Sequence, residues 1–369
     1  MRPLRVGALS GIPIYLHVSW LIVFGLIAWT LASGYFPAEQ PGLSAVSYWA
    51  LGLAASGLLF VSVLLHEFGH ALVSRRHGLK IHSVTLFIFG GVARLKTEPQ
   101  DSRTELQVAL AGPFVSLALA AGLALLTGLV GLPPMLRAIA RYLTTINLVV
   151  GVFNLVPAFP LDGGRVLRAL LWSRLGKARA TQAAAGAGEL FAAFMMAAGV
   201  LALLRGAAVS GLWYLLIGWF LHDASATAHH QARLDEVLRG VAVRDAMLTS
   251  VETLPAEISV ADAAQRYFLH TGYGSYPVNR GDATVGLLCL RDVLRVPPGD
   301  REGLSVQAVM RPLAPELVVA ADELLAAAMA KMAASEAKRL LVMGDGRLQG
   351  LLTMSSVLRH VRVRQELAG

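Results

Sequence analysis

Cysteine is all but missing from this chain. Cys289 stands alone among 369 residues, which excludes an intramolecular disulfide and any metal site built from clustered thiolates, and fits a reducing compartment. Charge is scarce as well. Asp, Glu, Lys and Arg make up 15% against 55% hydrophobic residues, too apolar a balance for a purely soluble protein of this length. From Leu43 to Leu65 there is no charged residue. The scarcity is also uneven, because residues 1–232 hold 16 Lys and Arg against 8 Asp and Glu, whereas 233–369 hold 16 of each. The whole net charge of +8 therefore belongs to the apolar part. Basic residues in a membrane domain report its orientation in the lipid bilayer, so this charge is no sign of a nucleic-acid partner.

The charge-free run ends in three ionisable side chains within five positions, His66-Glu67-Phe68-Gly69-His70. Such groups are costly in hydrocarbon and read as functional. On a helix the two imidazoles, four residues apart, project from one face about 6 Å apart along the axis. His66 and His70 can grip one zinc ion, and Glu67, one residue round, can act as general base toward a water that the ion acidifies. A lone His on an apolar face is ordinarily a hydrogen-bonded core residue. Here a second polar island, Asn154-Leu155-Val156-Pro157-Ala158-Phe159-Pro160-Leu161-Asp162-Gly163-Gly164-Arg165, offers the missing ligand. Its prolines and glycines break the helix, and Asp162 adds a carboxylate to the two imidazoles while leaving a fourth position open, as catalytic zinc requires. The alternative is an Asp-Gly-Gly that only caps a turn at the membrane surface. Asn154 can donate its amide to a substrate carbonyl or oxyanion, or bond to broken backbone instead.

Apolar stretches near 14–33, 45–74, 106–130, 138–157, 185–204 and 209–226 predict a polytopic helical membrane protein with six spans. The first is read as a retained span rather than a cleaved leader. Placing Arg2 and Arg5 in the cytoplasm puts 13 of the 16 basic residues of this part inside, Arg165 and Arg168 among them. Only Arg137, Arg141 and Arg205 then lie outside, so both termini are expected in the cytoplasm. Residues 80–95 are rich in β-formers and read as two short strands turning near Gly90-Gly91, a membrane-embedded hairpin beside the metal. In the polar third, Val243-Arg244-Asp245-Ala246-Met247 returns 63 residues later as Val306-Gln307-Ala308-Val309-Met310, and Gly286-Leu287-Leu288 returns 64 residues later as Gly350-Leu351-Leu352. Two copies of one α/β unit follow. The expected organisation is a membrane domain at 1–226, a linker at 227–242, and repeats at 243–299 and 306–364 within 243–369.

Together, His66-Glu67-x-x-His70, Asn154-x-x-Pro157-x-x-Pro160-Leu161-Asp162-Gly163-Gly164, Gly90-Gly91 and Ala111-Gly112-Pro113 resemble the site-2 proteases over residues 1 to about 225. The repeat resembles a tandem cystathionine-β-synthase (CBS) pair, so the likeness is to the branch of intramembrane metalloproteases that carries such a pair in the cytosol. The resemblance implies one catalytic zinc held by His66, His70 and Asp162, with Glu67 activating water and Asn154 aiding substrate binding. It also implies membrane-anchored substrates such as anti-sigma factors or sigma precursors. A strip near Gly90-Gly91 can hold an unwound substrate segment as an added strand. The CBS pair is expected to regulate activity, recognise substrate or pair two copies into a homodimer. Nucleotide-binding copies commonly close their second strand with Ser/Thr-x-x-Asp. Here Cys289-Leu290-Arg291-Asp292 and Thr353-Met354-Ser355-Ser356 each keep one half of it, and adenine-nucleotide binding is expected to be weak or absent. The rival readings are a CBS-regulated transporter and a zinc protease of prenyl-processing type.

Overall fold

The computed structural model describes residues 4–368 apart from 88–89, 96–98, 272 and 335–337. The chain divides into two compact units, Met1–Ala232 and Arg233–Gly369.

The first unit opens with a hairpin of β1 (Leu4–Leu9) and β2 (Ile12–Leu16). Its two turn residues, Ser10 and Gly11, have φ of 52° and 80°, as a tight two-residue hairpin turn demands. β2 pairs in parallel with β3 (Ile81–Phe87), which pairs antiparallel with β4 (Gly90–Leu95), giving one sheet in the order β1-β2-β3-β4. The two strands expected at 80–95 are thus half of a larger sheet. Gly90 and Gly91 open β4, opposite Phe87 and Leu86, and the turn at 88–89 lies outside the described residues. The expected first span at 14–33 is corrected at its start, because residues 12–16 are strand. Ile12 is buried in a cluster with Phe68, Ala71 and Val84, with Ile14 packed against it, and an apolar run cannot by itself tell such a strand from the first turns of a helix.

The helices are α1 (Ser19–Glu39, with a π-turn at Leu31–Tyr35), α2 (Ala45–Arg76), α3 (Ser102–Leu129), α4 (Pro134–Asn154), α5 (Asp162–Leu175), α6 (Lys177–Leu204) and α7 (Ala208–Val237). Ser44 caps α2 by accepting from the Ser47 N–H, and Asp101 caps α3 by accepting from that of Thr104, each satisfying an otherwise orphaned donor. Five of the helices, α1 to α4 and α6, are long and apolar enough to cross a membrane. The expected sixth segment, 209–226, lies on α7 and is not among them, since His222 and Asp223 interrupt its apolar run. Among the described residues five helices are of membrane-spanning length and composition, and 209–226 is not confirmed as a sixth. Residues 227–237, expected as linker, are the last turns of α7. Close helix approach rests on small residues: a Cβ on Gly52 would stand 2.6 Å from the Ala28 carbonyl oxygen, and one on Gly69 2.9 Å from that of Ala111.

The second unit holds two sheets. One is ordered β5-β6-β7-β8 (Leu254–Pro255, Ser275–Arg280, Ala283–Cys289, Arg311–Pro312), the other β11-β10-β9 (Arg347–Thr353, Arg339–Gly344, Val318–Val319). Each repeat contributes one antiparallel hairpin. The copies exchange their leading segments: Val241, Val243 and Ala246 pack into the core of the second repeat, and Val306 into that of the first. The sequence repeat and the packing unit are therefore out of phase.

Candidate metal centre

α2 carries His66 and His70 on one buried face, 4% and 5% exposed, and α3 fixes how both rings point. His70 donates through Nδ1 to the Val108 carbonyl oxygen at 2.7 Å, and His66 Nδ1 lies 2.9 Å from Ser116 Oγ. Tethering Nδ1 turns Nε2 inward in each ring, and the two Nε2 atoms stand 3.3 Å apart. Asp162 Oδ2 lies 3.1 Å from each of them. Donors held about 2.05 Å from a tetrahedral ion are about 3.3 Å from one another, so the three atoms fit three corners of such a site. Space for an ion comes from Gly112 on α3, where a Cβ would stand 2.2 Å from His70 Nε2 and 2.5 Å from His66 Nε2.

Asp162 is the first residue of α5, where the helix dipole favours a carboxylate. The glycines after it do not break a helix, contrary to expectation. They begin one, and their role is close approach: a Cβ on Gly163 would stand 2.2 Å from the Val156 carbonyl oxygen, and one on Gly164 2.4 Å from the Phe159 nitrogen. The preceding loop is clamped from two sides. Phe159 donates its N–H to the Ala184 carbonyl on α6, and its own carbonyl accepts from the buried Ser225 hydroxyl on α7.

Glu67 is half-buried and β4 lies against it, a Cβ on Gly91 standing only 2.4 Å from Glu67 Cγ. Asn154 ends α4, half-buried, and no hydrogen bond ties it to the cluster among the described residues. The structure thus gathers His66, His70 and Asp162 into one group able to hold a metal ion, sets Gly91 on Glu67, and places Gly90 as the first residue of β4, opposite Phe87.

Sequence reasoning missed the partner shell. Glu105 on α3 is wholly buried, its Oε1 accepting from Arg165 Nε at 3.1 Å and Arg168 Nη2 at 2.6 Å. Both arginines read as orientation signals in the sequence, because counting charges does not show which are paired. The available signal was spacing, since Glu105, Val108, Gly112 and Ser116 fall on one face of α3.

In the second unit a cleft of about 780 Å³ is lined by Cys289, Arg291, Arg311, Arg339, Thr353 and Ser356 among others. Both half-motifs reach it, and both are already engaged. Asp292 accepts from Arg311 and from the Cys289 N–H, while Thr353 and Ser356 exchange side-chain-to-backbone bonds.

Residues 54–138 and 134–198 match the family described as Peptidase family M50, and residues 243–299 and 306–363 match the CBS domain twice. Rip3 of Mycobacterium tuberculosis, which bears the name of a zinc metalloprotease, is 37% identical over 97% of this chain and 92% of its own length. The similarly named sll0528 of Synechocystis is 34% identical over 96% of this chain and 94% of its own. The solved site-2 protease from Methanocaldococcus jannaschii is similar with a TM-score of 0.45 at 30% identity, covering 62% of this chain and 95% of that one.

Proposed function

Because the chain belongs to peptidase family M50, the site-2 proteases, and is a zinc metalloprotease with a tandem CBS pair, we propose that it hydrolyses a peptide bond within or near the membrane segment of a membrane-anchored regulatory protein. Anti-sigma factors and sigma precursors are the substrate class that the family resemblance suggests. The observation that carries the reading is the meeting of Asp162 Oδ2 with two imidazole Nε2 atoms, three acceptors within 3.3 Å of one another. His66, His70 and Asp162 would hold the ion. Zinc, when bound, supplies Lewis acidity that acidifies a water and polarises a carbonyl. Glu67 accepts the water's proton and delivers it to the leaving amine nitrogen. Asn154, whose amide is unpartnered among the described residues, binds the substrate carbonyl. β4 is an edge strand of its sheet, β1 being the other, so an unwound substrate segment can add to it along Gly90 and Gly91, beside Glu67.

The protease domain occupies 1–226. The CBS pair at 243–369 regulates it and pairs two copies, a dimer that light scattering on the detergent-solubilised chain would reveal or exclude. Both termini are cytoplasmic, with 209–226 of α7 as the sixth crossing. Cysteines engineered within 37–42 and within the CBS pair should label from opposite sides; labelling from one side overturns this orientation.

The central test pairs two variants, reading zinc content by elemental analysis and cleavage of a membrane-embedded substrate. Asp162→Ala should lose zinc and activity together. Glu67→Gln should keep zinc and lose about 10²- to 10⁴-fold in rate. Full zinc in Asp162→Ala removes that residue from the ligand set, and near-normal cleavage by Glu67→Gln sinks the mechanism.

A further inference from the structure

We propose that Glu105 is a positioning residue for the metal centre: through Arg165 it holds the first turn of α5, and so decides where Asp162 presents Oδ2 to the two imidazoles. The inference rests on the zinc reading of His66, His70 and Asp162 and extends it to a helix that supplies no ligand. α3 touches the centre at four points along one face. Val108 takes the Nδ1 proton of His70, Ser116 meets Nδ1 of His66, and Gly112 leaves room between their Nε2 atoms. Glu105 supplies the fourth point, on the side of Asp162. Its Oε1 accepts from Arg165 Nε at 3.1 Å, and Arg165 Nη1 lies 3.9 Å from Asp162 Oδ1. One guanidinium therefore spans two carboxylates. Oδ1 faces the arginine while Oδ2 faces the histidines.

Two features argue for placement rather than stability. Glu105 Oε2 and Arg168 Nε have no hydrogen-bond partner among the described residues although both are buried, and an incompletely satisfied buried ion cluster is a poor stabiliser compared with apolar packing. Arg165 is also three residues from Asp162 on the same helix, an i,i+3 pair that would close into a direct contact if nothing else held the guanidinium. Glu105 holds it from α3, and the Arg165–Asp162 separation stays at 3.9 Å while the Arg165–Glu105 bond is 3.1 Å. Asp162 keeps its charge free for a cation, with its direction set from behind. Outer partners that orient metal ligands in this way typically account for about 10- to 100-fold in metal affinity.

The test uses the full chain purified in detergent, with zinc affinity read by chelator competition and the visible absorption of the Co²⁺-loaded protein as a report on ligand geometry. Glu105→Gln and Arg165→Gln should each weaken zinc affinity about 10- to 100-fold and alter the Co²⁺ spectrum. The double variant should lose no more than either single one, because both break one chain of contacts. Should Glu105→Gln fail to fold, Arg165→Lys, which keeps the charge but not the two-sided fork, should give an intermediate loss. Zinc affinity and Co²⁺ spectrum unchanged in the folded single variants, or losses that simply add, overturn the proposal. A wild-type chain that takes up no zinc overturns the zinc reading itself, and this inference with it.

Discussion

Asp162 and Asp292 are alike in most local respects and differ in what faces them. Each lies in the first turn of a helix and is buried, 9% and 4% exposed. Asp292 is answered from within the protein: Arg311 donates to both of its oxygens at 3.1 and 3.2 Å, and the Cys289 N–H donates to one of them. Asp162 Oδ2 instead faces two imidazole nitrogens. His70 spends its Nδ1 proton on the Val108 carbonyl, which can only accept, so in the neutral ring Nε2 offers a lone pair and no proton. A buried carboxylate pressed against lone pairs is costly unless a cation joins them. Burial and helix position are thus shared by a structural and a ligand aspartate. The partner set separates them.

That contrast can be broken most forcefully by exchanging the two roles. Asp292→Ala removes the carboxylate that Arg311 grips and should cost the CBS pair about 3 kcal/mol, as breaking a buried pair does, with zinc content unchanged; denaturant unfolding and elemental analysis on the same preparation read both. Zinc loss in Asp292→Ala would show that the two units are not energetically separate in this respect. Next in size is Gly112→Ala, which adds a methyl where the ion must sit. It should lower zinc affinity about 100-fold while leaving Asp292 and the CBS cleft untouched, as chelator competition beside an unfolding curve would show. Normal zinc affinity in Gly112→Ala would place the ion elsewhere. The smallest effect expected is at the cleft: calorimetry with ATP and AMP should show no micromolar binding, since Asp292, Thr353 and Ser356 already spend their polar groups on Arg311 and on helix caps. A micromolar affinity would mean that those bonds open for a ligand.

Much of the candidate site was legible because its constraints are local. The spacing of His66 and His70 obeys the helical repeat, and an ionisable cluster after 23 apolar positions, Leu43 to Leu65, is conspicuous wherever it folds. The same reasoning misplaced the start of the first span, because Ile14, Tyr15 and Leu16 pair into a sheet with Val84, Thr85 and Leu86, about 70 positions away. It also took Gly163 and Gly164 for breakers when they permit close approach. Arg165 and Arg168 were counted as orientation charges because their partner, Glu105, lies 60 and 63 residues earlier.

By itself the sequence determined the two-part division, through the partition of charge, the helical face bearing His66 and His70, and the internal repeat; each follows from composition or from periodicities of a few residues. Only the tertiary structure decided that Asp162, 96 residues from His66, meets both imidazoles, that Gly112 leaves the space between them, that Glu105 backs Arg165, and that the CBS copies exchange their leading segments. Those outcomes depend on which surfaces pack against which. Helix period and hydropathy say which face is turned inward, and only close packing says what that face meets.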